Sequence, residues 1–312
     1  MMQYLGAMLK PIARLCIRAA LAATLMAAGQ AAATDIVIFD QPVSKADRRR
    51  EYANTLLNAV LQRTVPEFGP YEIRHAAVHM ERPRLFEALK DGKLVNLTAY
   101  PATANWMREL KPVPIPIDMG LQSWRIFLID AKTQPALRAV HTLGQLARLR
   151  AGSGSAWATL ESLKEAQLSV VTGSSYNGLF QMLMAGRFDY LPRGVNEIFA
   201  EYDTHKQDYP ALAVEETLLL HDQIPSLFFV APGETRLHRR ITAGMEALLK
   251  DGSLERLVLD YHRNDLRRAK LCTRKRFELP NRQLDPALFG RKELWLNPFE
   301  ARHGFCPALL PR

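Results

Sequence analysis

Three segments combine small, hydroxyl-bearing and cationic residues as a site for a small polar molecule would need them. The first is Ala151-Gly152-Ser153-Gly154-Ser155-Ala156-Trp157. Its two glycines let the backbone approach a bound group, Ser153 and Ser155 add donors, and Trp157 adds an aromatic wall. The second, Gly173-Ser174-Ser175-Tyr176, puts small hydroxyl residues where a helix is expected to open. The third runs from Asp189 to Glu197 and sets Arg193 just past an expected strand, its fork of donors suited to a planar anion. Free N–H groups at helix openings favour carboxylate or phosphate-like ligands. Each segment alone also matches a flexible Gly/Ser turn, a serine N-cap or a solvated arginine; together they are more specific. The expected ligand-binding set is Thr98, Tyr100, Trp106, Ser153, Gly154, Ser155, Trp157, Ser174, Ser175, Tyr176 and Arg193.

Other chemistries find less support. His75 and His79 are four apart but fall in a strand-like stretch, where that spacing does not place two ligands on one helical face, so no metal site is expected. There is no Gly-x-Ser-x-Gly, P-loop or His-Glu-x-x-His motif, and no cofactor is implied. Glu197 beside Arg193 is the one candidate acid next to a carboxylate-holding cation, the arrangement an elimination enzyme needs, and equally a surface helix glutamate. No apolar run after the N-terminus is long enough to span a membrane.

The elements expected to position these residues alternate. Strands are expected at Asp35–Phe39, Tyr71–Ala76, Leu94–Thr98, Trp124–Asp130, Arg148–Ala151, Leu168–Thr172, Phe188–Leu191 and Ser226–Val230. Helical spacing links Tyr52, Leu56 and Val60, and recurs over Arg84–Leu89, Ala156–Ala166 and Tyr176–Ala185. Leu237, Ile241, Met245 and Leu248 mark another helix, stopped at Gly252, and Ser253 is placed to cap the next. Arg48-Arg49-Arg50 reads as a solvated helix opening. This order implies an α/β protein of two lobes with largely parallel sheets.

Leu168–Glu201 (LSVVTGSSYNGLFQMLMAGRFDYLPRGVNEIFAE) resembles the second lobe of type II periplasmic solute-binding proteins, family 3, the amino-acid-type components of ABC importers. Pro112–Ile129 resembles their crossover between lobes, and Ile224–Val258 their return strand and closing helices. The resemblance implies a two-lobed periplasmic-binding-protein-like fold joined by two hinge segments. Lobe one would be 34–122 plus 225–270, lobe two 123–224, and 271–312 a C-terminal extension packed on lobe one. It also implies a ligand carboxylate at Gly154 and Ser155. Two departures stand out. Trp106 occupies the place of the usual lobe-one arginine, with Arg108 nearby, and Arg193 stands where an acid usually holds an amino group. The second departure points away from zwitterionic amino acids and toward an anionic or aromatic ligand.

Residues 1–33 carry Lys10, Arg14 and Arg18, then an apolar, Ala-rich stretch ending in an A-x-A pattern, which reads as an export signal cleaved near Ala33–Thr34. Without it 38 basic residues face 32 acidic ones, a net of +6 too dispersed for nucleic acid. In an oxidising compartment the remaining Cys272 and Cys306 are expected to pair. The expectation is a monomeric periplasmic protein that binds a small polar or anionic molecule and hands it to an ABC permease or membrane sensor. The alternatives are a dehydratase-like enzyme on the same scaffold, or an envelope protein docking through the tail from Thr273.

Overall fold

A computed structural model describes residues 34–41, 51–282 and 284–306. The expected export signal and Arg48-Arg49-Arg50 lie outside the described residues. Twelve strands are assigned among those described: β1 (Asp35–Phe39), β2 (Tyr71–His75), β3 (Leu97–Pro101), β4 (Lys111–Val113), β5 (Trp124–Asp130), β6 (Arg150–Gly154), β7 (Ser169–Gly173), β8 (Leu191–Gly194), β9 (Leu212–Val214), β10 (Leu218–His221), β11 (Ser226–Val230) and β12 (Lys275–Glu278). Every residue of β5 and of β11 is buried, as strands covered on both faces require.

One sheet runs β2-β1-β3-β11-β4, and a second runs β12-β10-β5-β8 with β9 also on β5. A two-stranded β6-β7 pair leans on the second through Ala151 and Tyr190. The chain passes from the first sheet to the second after Val113 and returns between His221 and Ser226. Helices flank both, so the α/β two-lobed class holds. The pairing is mixed rather than largely parallel. β1 is parallel to β2 and β3, but β11 is antiparallel to β3 and β4, and β5 is antiparallel to β8, β9 and β10. Strands that carry the chain between lobes enter each sheet from the opposite end, which reverses their direction.

Other differences are local. The strand expected from Leu94 starts at Leu97, because Leu94 lies exposed in the turn after Gly92. The strand expected from Phe188 starts at Leu191, so Arg193 lies within β8, opposite Ile126, rather than past its end. Gly252, with φ +73°, caps the last long helix, and the Ser253 side chain makes no cap.

The tail departs most from expectation. Instead of packing only on lobe one, it adds β12 to the edge of the second sheet, Leu218 pairing with Lys275 and Leu220 with Phe277. It then returns, burying Leu284 against the lobe-one cluster of Leu85, Phe86 and Trp106. Leu296 donates its N–H to Met119 O at 2.8 Å, in the first crossing segment. Gly120 has φ +77°, and a Cβ there would overlap the Trp295 ring. Cys272 and Cys306 form the expected disulfide, Cα atoms 5.6 Å apart. Among the described residues no helix is long and apolar enough to cross a membrane.

Candidate ligand-binding site

A cavity of about 240 Å³ lies between the two sheets and takes its lining from both. Three of its walls are strand-to-helix turns. β6 delivers Gly154, Ser155 and Trp157; β7 delivers Ser174, Ser175 and Tyr176; β8 delivers Arg193 and Glu197. Gly154 has no side chain for a reason visible here: a Cβ would collide with the Trp157 indole, which lies across it. Ser175 caps the helix Tyr176–Met184 by accepting the Gly178 N–H at 3.2 Å. Its hydroxyl is therefore committed to the helix while it lines the cavity.

Of the expected residues, Tyr100, Gly154, Ser155, Trp157, Ser174, Ser175, Tyr176 and Arg193 line this one cavity. Thr98, Trp106 and Ser153 do not. Thr98 is buried in β3 and donates to Asp40 Oδ1 at 2.6 Å. Ser153 is buried within β6, its hydroxyl on Gly154 O at 3.3 Å. Trp106, 3% exposed, belongs to the lobe-one core among Phe86, Tyr100 and Phe229. Arg108 is exposed and pairs with Glu109 and Asn105, away from the cavity.

Arg193 is neither solvated nor free to meet an anion. It is 5% exposed and grips Glu201 at two points, Nε to Oε2 at 2.7 Å and Nη2 to Oε1 at 2.6 Å. Glu197 adds an oxygen 2.8 Å from Nη2. Burial opposes the charge, but Glu197 and Glu201 outweigh it and raise the guanidinium above its ordinary value. The cation lies 4.2 Å from the Trp157 ring centroid and so braces the aromatic wall. Arg125 is likewise taken by Asp222. Glu197, the candidate acid, is held by Arg193 and by the Gly194 N–H at 3.0 Å.

The cation the sequence reading passed over is Arg82, at the start of the helix Arg82–Asp91. It is 9% exposed, and among the described residues no carboxylate lies within ion-pair distance of it. Nη1 donates to Ala156 O across the cleft at 3.0 Å; Nη2 donates to Pro101 O at 3.3 Å and Thr103 Oγ1 at 3.5 Å. Two of its five N–H donors have no partner among the described residues. Burial lowers its pKa, partly offset by Tyr100. Its carbon lies 5.1 Å from the Tyr100 and 5.3 Å from the Trp106 ring centroids. Trp106 thus supports the cation from behind rather than replacing it. The signal in the sequence was Glu81-Arg82-Pro83, a proline opening a helix beside a cation just after β2. Among the described residues no group of three or more His, Cys, Asp or Glu could hold a metal.

No protein-family model and no curated protein sequence matches the chain. Solved structures do. An ancestral arginine-binding protein bound to arginine superposes with TM-score 0.53 at 15% identity, over 73% of this chain and 97% of its own. A periplasmic arginine-binding protein from Salmonella typhimurium gives 0.52 at 14%, over 72% and 97%. A Streptococcus mutans protein described in glutathione import with a cystine ABC importer gives 0.53 at 14%, over 73% and 95%. This chain has the two-lobed fold of type II periplasmic binding proteins. At these identities the likeness is one of architecture. In this binding-protein fold the cavity occupies the cleft at the carboxyl ends of the strands, where open α/β sheets accept ligands.

Proposed function

We propose that the chain is an exported solute-binding protein that captures a small molecule bearing a carboxylate or similar planar anion in the cleft between its lobes. The bound molecule would then pass to a membrane partner, an ABC permease or a sensor. The observation that carries this reading is Arg82, a buried cation without a carboxylate partner among the described residues, facing the donor-rich turns of the opposite lobe across a cavity of about 240 Å³. A charge in so dry a place calls for a counter-charge, and Arg193 cannot serve instead because Glu201 and Glu197 already neutralise it. The hydrogen bond from Arg82 to Ala156 joins the lobes, so a ligand on the same guanidinium would favour the closed hinge. The likeness to arginine-binding and glutathione-import proteins supports small carboxylate-bearing solutes as the first probes.

The test is a thermal-shift screen of the mature protein against amino acids, small peptides and dicarboxylates, with mass spectrometry of whatever co-purifies. A ligand at a hundred times its Kd contributes about 2.7 kcal/mol, or about 5 °C in Tm for a protein of this size. Arg82→Gln should abolish that shift. A folded protein whose Tm no carboxylate raises, or an Arg82→Gln variant that responds like the parent, would defeat the reading.

A further inference from the structure

Two lobes open and close by rotation about a few φ and ψ angles in the segments that join them. In this chain those angles are unusual. Among the described residues four non-glycine residues have positive φ, and two of them are Met119 (φ 51°) and Gln223 (φ 50°), one in each crossing segment. A side chain disfavours that left-handed conformation, so both residues would relax if their surroundings let them. Gly120, with φ +77°, continues the same bend in the first segment.

The C-terminal tail holds both residues by their carbonyls. Met119 O accepts the Leu296 N–H at 2.8 Å, and Gln223 O accepts the Asn281 side-chain amide at 2.9 Å. The Trp295 ring fills the space that a Cβ at Gly120 would take. Phe299 meets Trp124, the first residue of β5, edge-on with centroids 5.1 Å apart. The tail is itself pinned to either lobe. On lobe two β12 joins β10, and Arg282 donates its N–H to Glu165 Oε2 at 3.3 Å. On lobe one Arg291 grips Glu246 at 2.6 and 3.1 Å, and Leu284 is buried. The far end of the tail returns to its start through Cys272 and Cys306. Rotating one lobe against the other would have to break contacts at both crossings together.

We propose that the tail is a hinge brace. It ties the two left-handed crossing residues and both lobes into one unit, and it keeps the lobes in the arrangement in which Arg82 reaches Ala156. The lobes open only when the tail lifts, and the disulfide is the clasp that keeps it down. This concerns the hinge alone and does not depend on what the cleft binds.

The test is a pulsed-EPR distance in the full mature chain, with spin labels on non-canonical residues at Arg84 and Glu161. Both positions are exposed, on helices that start at the cavity from opposite lobes. Without added ligand the oxidised parent should give one narrow distance. Cys272→Ser/Cys306→Ser and Trp295→Ala should each add a longer distance in about a tenth or more of the molecules. Treating the parent with a phosphine reductant should do the same. Asn281→Ala removes one exposed hydrogen bond and leaves the core intact, so it folds whatever the others do, and it should broaden the distance. Two distances in the oxidised parent would overturn the brace. So would the parent's distance unchanged in Asn281→Ala and in every other form that folds; a longer or broader one in any of them upholds it.

Discussion

Arg193 and Arg82 are the same residue type in the same cleft, and their neighbours give them opposite work. Arg193 meets Glu201, eight residues on along the next helix, in a fork with both partners buried. Removing one member strands the other charge, which typically costs about 3–5 kcal/mol. Because Glu197 still faces Arg193, Glu201→Gln should lower the unfolding free energy read in urea by up to that amount, with a ligand-free defect as large as the liganded one. A role confined to ligand binding would leave the ligand-free midpoint unchanged. The sequence made a cation in this turn legible, and most residues of the three turns do line one cavity. It did not reveal the partner, since a strand-to-helix pairing depends on where the helix Ile198–His205 docks. Arg82 was missed for the complementary reason: its role comes from acceptors at Pro101 and Ala156, distant in sequence and joined only by folding.

Among elements, the ones with strong periodicity or long apolar runs were readable. β1, β5 and β11 begin and end where the residues indicate. β4, β9, β10 and β12, three or four residues each, were not, because so short a run shows neither alternation nor turn boundaries. Elements also meet through charges that no local pattern announces. Arg268, late in the helix Ser253–Ala269, grips Asp203 of the helix Ile198–His205 at 2.6 and 2.8 Å. The Arg268 hydrogen bond holds the Asp203 carboxyl below its ordinary value, against a smaller effect of burial. A depressed folded-state value means stability that is present above the unfolded value near 3.8 and is lost as pH falls through the folded one. Asp203→Asn should thus cost at most about 1 kcal/mol at neutral pH and low salt, because the pair is exposed. The gap in Tm between variant and parent should close as the pH drops below about 3.8. A gap that persists in acid would assign the contact to packing of Arg268 on Phe199 instead.

At the scale of the molecule, the chain passes between lobes not twice but four times. After the last long helix it enters the second sheet as β12, and it returns to bury Leu284 beside Trp106. The disulfide closes this excursion with a sequence separation of 34. On the chain-entropy estimate such a loop contributes roughly 4 kcal/mol, within a usual range of 2–5. Cys272→Ser should lower stability by that order, read as a fall in Tm of the ligand-free protein. An unchanged Tm would mean that β12 and the Leu284 anchor hold the tail unaided. The pairing of the two cysteines was legible from their number and the expected compartment. The route between them was not, since nothing in Lys275-Arg276-Phe277-Glu278 says which sheet it joins.

That route also covers a sheet edge that could otherwise pair with another copy. β10 presents Leu218-Leu219-Leu220, and without β12 its backbone would be a bare apolar rim, ready to zip onto another molecule. The tail covers that rim with a strand bearing Lys275, Arg276 and Glu278, charges that discourage further stacking. Because β12 follows β10 only after two long helices, the nascent chain carries a sticky margin from the making of β10 until β12 emerges.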